Sequence, residues 1–140
     1  MLVFLDASAI IYLLEGDAPT RHATQQALRQ LEAGSDEPPV LAVSALSRLE
    51  CRVGPLRGSN AHALKRLDAF FGDPGLAIIP IDAPVIDKAT ALRAKYRLRT
   101  PDAIQAACLL VTDPEGAFVT GDGDFGQVPG LRVHRIPSQV

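Results

Sequence analysis

Asp6, Glu50, Asp102 and Asp122 each stand at the boundary or on the inner face of an apolar segment, where an acid is costly unless it has work to do. Asp6 directly follows the run LVFL (residues 2–5), and Asp122 comes two residues after Thr120, at the end of AFVT. Glu50 lies four residues after Leu46 and three before Val53, a spacing that predicts an inward helix position. Asp102 follows Thr100-Pro101 in the first turn of the apolar stretch AIQAACLLV, with Ala106 and Leu109 on its own side. In open parallel sheets, ligands bind beyond the carboxyl ends of the strands, so all four acids start from positions that can face one sheet edge. Each also has an ordinary reading: Asp6 as a helix cap, Asp102 as a complement to a helix N-terminus, Asp122 as a turn residue. Taken together they are harder to dismiss. Two carboxylates about 4 Å apart repel by roughly 4 kcal/mol at an effective dielectric of about 20. Converging acids must protonate, pair with cations or hold a metal, and no Lys or Arg is placed to neutralise all four. Oxygen ligands without His or Cys select Mg²⁺ or Mn²⁺ over zinc. Such ions bind phosphate oxygens and acidify water, so phosphodiester hydrolysis is the chemistry expected.

The elements that must position these acids follow from periodicity. Short apolar runs at 2–5, 40–43, 76–81 and 117–120 read as buried strands, with a fifth at 131–134. Between them lie helical patterns. Ala7 to Leu14 ends at Gly16, and a helix after Asp17 and Pro19 stops at Gly34. Ser44 is placed to cap a helix carrying Leu46, Leu49, Val53 and Leu56, and Ser59 the next one, with Leu64, Leu67 and Phe71 inward. Ala83 to Leu98 carries Val85, Ile86, Ala89 and Leu92, and a central helix opens at Thr100, its expected cap. Strands alternating with helices predict an α/β fold: a three-layer α/β/α sandwich around a mostly parallel sheet of four to five strands, in one domain spanning 1–140.

The composition narrows the class. The chain has 140 residues and a formal net charge of −2, which argues against a basic nucleic-acid coat protein but not against a nuclease with local cations. The apolar N-terminus is interrupted by Asp6 and lacks a basic leader, and no run has the length of a membrane span, so the expectation is a cytoplasmic protein with no membrane partner. Cys51 and Cys108 read as reduced buried thiols. Asp82, in Asp-Ala-Pro ahead of a helical pattern, is a control: an acid after a strand whose signature is that of an N-cap. The segment Asp122-Gly-Asp124-Phe-Gly126 begins like a calcium loop, but Val133 stands at the twelfth position, where a Glu is required. A receiver-like domain would need adjacent acids after the first strand and a late Lys, and neither is present.

Four segments, VFLDASAIIYLL, SALSRLECRVG, LRTPDAIQAACLL and FVTGDGDF, together resemble the PIN-domain family, specifically its VapC-type toxins. The D-x-S opening alone is weak, whereas R-x-x-D-A-I-x-A-A followed by T-x-D-x-D-F is fairly specific. The resemblance implies the PIN-like fold, Mg²⁺- or Mn²⁺-dependent endoribonuclease activity leaving 5′-phosphate and 3′-hydroxyl ends, and neutralisation by a small VapB-like antitoxin. It also implies a homodimer and a toxin–antitoxin hetero-oligomer. Asp6, Glu50 and Asp102 match the family's regular acids, Asp122 the fourth, Ser8 the small polar residue after the first acid, and Thr120 the hydroxyl before the last. The family varies around the fourth acid, so Asp124 is the alternative to Asp122 or a sharer of its role, with Asp122 ranked first. RNA approaching such a site needs cations, for which Arg48 and Arg52, flanking Glu50, and Arg97 and Arg99, in the 93–99 cluster, are candidates; a solvated helix face is the alternative for that cluster. The segment Ile10 to Leu14 has more apolar surface than one buried face requires, which marks it for core packing or a partner. A catalytically inactive PIN-fold module that binds RNA or protein is the competing function.

Overall fold

The apolar runs LVFL and AFVT form neighbouring parallel strands at the centre of a five-stranded sheet. The computed structural model describes residues 1–137. Its elements are β1 (Leu2–Leu5), α1 (Ala7–Glu15), α2 (Ala18–Ala33), β2 (Val40–Ser44), α3 (Ala45–Arg57) and α4 (Ala61–Phe71), followed by β3 (Ala77–Ile79), α5 (Ala83–Lys95), α6 (Thr100–Thr112), β4 (Ala117–Thr120), a 3-10 turn (Gly123–Gln127) and β5 (Arg132–Arg135). The strand order is β3-β2-β1-β4-β5, and every pairing among the described residues is parallel.

Side chains alternate across each strand, so one sheet builds two cores. Phe4 and Phe118 stack on the face covered by α5 and α6, with Phe125 of the 3-10 turn against Phe118. Val3, Leu5, Val43 and Val119 face the other way, against α1 to α4. The result is the α/β/α sandwich expected, with all strands parallel rather than most. No helix among the described residues is long and apolar enough to cross a membrane.

Local signals hold at most boundaries. Asp17 and Asp82 accept from the backbone N–H of Thr20 and Val85, so Asp82 is the structural cap that its context predicts. Both cysteines are buried and free, and burial pushes the Cys51 thiol up to about 12. Three boundary expectations are corrected. Asn60, not Ser59, caps α4, because Ser59 carries the turn with φ 54°. Arg99, not Thr100, is the N-cap of α6 and makes no side-chain capping bond. Helix α5 ends at Lys95, so the 93–99 cluster is not one helix face.

The largest correction concerns α3. Leu49 and Leu56 are 64% and 65% exposed, and Val53 is also outside the core. The buried positions of α3 are Ser47 and Cys51. Periodicity identifies an apolar stripe, and here that stripe faces away from the sheet. Helix α1 shows nearly the reverse: Ile10 is buried, Tyr12, Leu13 and Leu14 pack partly against the core, and only Ile11 of that stretch is exposed.

Candidate active site

The chain winds outward from β1 through β2 to β3, then returns to lay β4 on the opposite side of β1. That reversal opens a crevice at the carboxyl ends of β1 and β4, where doubly wound sheets bind ligands. Asp6 lies at the end of β1, and Thr120 closes β4 beside it. Both ordinary readings of these acids hold as local structure: Asp6 Oδ1 accepts from the Ala9 N–H at the start of α1, and Asp122 accepts from the Asp124 N–H.

Proton bookkeeping shows how the two strand ends are locked. Ser8 Oγ donates to Asp6 Oδ1 at 2.6 Å, and Thr120 Oγ1 donates to Asp6 Oδ2. Each hydroxyl has one proton, so both then act as acceptors. Ser8 Oγ accepts from the Gly121 N–H at 2.8 Å and Thr120 Oγ1 from the Asp122 N–H at 2.9 Å. Ser8 and Thr120 thus bridge the Asp6 carboxylate to the backbone that carries Asp122. The loop runs close to two side chains, most tightly at Gly121. A Cβ on Gly121 would fall 2.5 Å from the Tyr12 ring, and one on Gly123 would fall 2.9 Å from the Arg135 guanidinium. Tyr12 and Arg135 therefore border the site, which the sequence did not indicate.

Glu50 and Asp102 arrive from α3 and α6. Gln105, one turn after Asp102 and only 2% exposed, donates through Nε2 to Ser47 Oγ at 2.9 Å and to Glu50 Oε1 at 2.8 Å. Its own Oε1 has no partner among the described residues. A lone amide in an otherwise apolar helix, three residues from an acid, was the available signal for Gln105. Gln105→Leu is expected to strand the buried Ser47 hydroxyl and cost about 1–3 kcal/mol in a urea melt. It is also expected to lower kcat more than it raises KM, since Glu50 loses its orienting donor; an unchanged kcat would refute that role.

The carboxyls feel one another. Burial raises the pKa of Asp6 most, against three lowering hydrogen bonds, with Asp102 adding to the rise. Burial likewise raises Glu50, opposed by the Gln105 hydrogen bond and reinforced by the charges of Asp102 and Asp6. Asp102 is raised by burial, lowered by Arg99, and raised again by Asp122 and Asp124. Arg99 Nε reaches Asp102 Oδ2 at 3.3 Å, a cation that the sequence reading did not place there. Asp124, in the first turn of the 3-10 segment, is exposed, whereas Asp122 is partly buried.

The other arginines lie elsewhere. Residues two apart on a helix point to nearly opposite sides, so Arg48 and Arg52 flank Glu50 in sequence but share the outer face of α3 with Leu49, Val53 and Leu56. Arg52 is paired with Asp68 of α4 at 3.0 Å. Arg97 is exposed, and its backbone N–H donates to Gln127.

The donor set fits a hard divalent cation: oxygens alone, and more negative charge than one guanidinium offsets. Among the described residues, no group of three or more His, Cys, Asp or Glu is already drawn together around a point that would hold an ion. The acids are within mutual electrostatic reach, while Asp6 has both oxygens engaged by internal donors and Glu50 and Asp102 have one each.

The family model described as PIN domain matches residues 3–131. A chain of a toxin–antitoxin complex from Klebsiella pneumoniae is 26% identical with a TM-score of 0.73, covering 97% of this chain and 98% of that one. A chain of a VapBC complex from Rickettsia felis, bound to a promoter DNA fragment, gives a TM-score of 0.77 at 17% identity over 98% and 100% of the two chains. A Mycobacterium tuberculosis VapC toxin that cleaves the sarcin-ricin loop gives 0.70 at 16% identity over 93% and 98%. These last two likenesses are of fold. No curated protein matches the chain in sequence.

Proposed function

The chain belongs to the PIN-domain family, and on that premise we propose that it is a VapC-like endoribonuclease, a hydrolase of RNA phosphodiester bonds that uses Mg²⁺ or Mn²⁺. The observation that carries this reading is the convergence at the β1/β4 crevice of Asp6 from the end of β1 with Glu50 of α3 and Asp102 of α6, close enough to raise one another's pKa, with Asp122 and Asp124 acting on Asp102. Asp6, Asp102 and Asp122 would hold the ion, with Glu50 and Asp124 as further donors. When bound, it supplies Lewis-acid stabilisation of charge on the phosphate and a more acidic water. Glu50 has one oxygen engaged by Gln105, which leaves the other to take a proton from the attacking water; its raised pKa suits it to that task. Ser8 and Thr120 keep Asp6 oriented and fix the loop that bears Asp122.

Purified chain incubated with cellular RNA and Mn²⁺ is expected to release discrete fragments, and excess EDTA to stop their release. Cleavage undiminished by EDTA would refute the metal role, and no cleavage under any condition would favour the inactive RNA- or protein-binding module.

The partners we propose are a small VapB-like antitoxin, a second copy of the chain, and the hetero-oligomer they form. The structural neighbours from toxin–antitoxin complexes support the first. The uncovered stripe of Leu49, Val53 and Leu56 gives such a partner an apolar surface, and it is larger than the one expected on α1. Leu49→Asp combined with Leu56→Asp, both exposed, should leave stability within about 0.5 kcal/mol while reducing the mass read by light scattering, alone or with antitoxin. An unchanged mass would move the partner surface off α3.

A further inference from the structure

Arg99 is the N-cap of α6. Its side chain makes no capping bond and is 79% exposed, yet its guanidinium turns onto Asp102, whose side chain is only 14% exposed. Among the described residues, this contact supplies the hydrogen bond that the Asp102 carboxylate receives. Of the other cations nearby, Arg93 donates to the Thr100 hydroxyl and the Arg135 guanidinium lies beside Gly123, whereas Arg99 is the one bonded to a site acid among the described residues.

We propose that Arg99 is the resident counter-cation of the acidic crevice, that a divalent ion must displace it from Asp102, and that the freed guanidinium then meets the RNA backbone. The inference rests on the metal-dependent reading above and adds the group that regulates ion entry. A single 3.3 Å contact to so exposed an arginine is weak and readily exchanged. A doubly charged ion bonded directly to carboxylate oxygens outcompetes it, and the exchange turns Asp102 from an arginine partner into a ligand. It also accounts for acids that influence one another electrostatically without being gathered around a point. Arg99 lowers the Glu50 carboxyl as well as that of Asp102, so its charge extends across the crevice. Once displaced, the guanidinium stays at the mouth of the site, where bidentate contact with a phosphate is its favoured use.

The test is Mn²⁺ binding to the full chain without RNA, followed by electron paramagnetic resonance of free Mn²⁺. Arg99→Gln is expected to bind Mn²⁺ about three- to tenfold more tightly than the wild type, with the gap narrowing as salt rises, while Arg99→Lys stays near wild type. A second arm measures binding of an RNA oligonucleotide in EDTA. Asp102→Asn, which frees Arg99 without a metal, should bind it more tightly than the wild type, and adding Arg99→Gln should remove that gain. Equal Mn²⁺ affinity in the wild type and Arg99→Gln, or weaker binding by the variant, overturns the role of Arg99 alone. A wild-type chain that binds no Mn²⁺ overturns the metal reading and this proposal with it.

Discussion

Asp102→Asn is expected to lower RNA cleavage by about 10² to 10⁴-fold, the range typical for losing a group that acts in the transition state, and at the same time to raise the melting temperature measured in EDTA. The two effects share one cause. Asp102 is held at the start of a buried helix, beside Asp122 and Asp124, and its carboxyl is raised above its ordinary range. Ionised at neutral pH, it costs the fold stability that a neutral amide of the same shape does not. The lost Arg99 contact offsets little, because that arginine is largely exposed. Asp6→Asn should abolish cleavage equally but without the gain in melting temperature, because Asp6 also caps α1 and receives both the Ser8 and Thr120 hydroxyls. Circular dichroism melts beside single-turnover cleavage would decide the matter. An Asp102→Asn chain that is inactive and also melts well below the wild type would show a structural role rather than the proposed one.

The second large effect is linkage between divalent ion, pH and stability. Asp6, Glu50 and Asp102 all have raised pKa values in the folded chain. A carboxyl raised on folding is bound more tightly to its proton in the native state. Its stabilising contribution is therefore complete below the unfolded-state pKa, near 4, and is lost as pH rises through the folded value. In EDTA, the melting temperature of the wild type should fall relative to that of Asp102→Asn as pH is raised from about 4 to neutrality. Mn²⁺ should reverse the trend, because it binds the ionised form. At a hundred times its dissociation constant, a ligand of the native state adds about 2.7 kcal/mol, a rise of roughly 5–10 °C for a domain of this size. Asp6→Asn and Asp102→Asn should lose most of that rise. A wild-type melting temperature indifferent to Mn²⁺ at neutral pH would contradict the proposed site.

Why some of this was legible and some not depends on what each residue's neighbours are. LVFL followed by Asp6 reads correctly because a fully apolar run has two covered faces, and an acid after it must sit at the sheet edge. Asp82 reads correctly because capping is settled within four residues of sequence. Helix α3 misleads because periodicity reports that one side is apolar and not which side meets the sheet. The inner side there is Ser47, Glu50 and Cys51, a polar strip that makes sense only once Gln105 is opposite it. The Arg99–Asp102 pair is three residues apart at a helix start, but the Thr-Pro signal places the cap of α6 at Thr100 and so hides Arg99, one residue earlier. Tyr12 and Arg135 could not be placed, since their link to Gly121 and Gly123 joins distant stretches of chain.

Asp6 and Thr120, hydrogen-bonded across the β1/β4 seam, are 114 residues apart in sequence. Contacts between such distant positions close late in folding, because the intervening chain must first be drawn in. During synthesis, β1 leaves the ribosome long before β4 and waits with one long edge unpaired, an invitation to wrong partners unless something shields it. Until β4 docks, Asp6 has neither the Thr120 hydroxyl nor the Asp122 loop beside it. The crevice therefore cannot assemble from the N-terminal stretch alone: Asp6 meets Thr120 and the Asp122 loop only after β4 has been made.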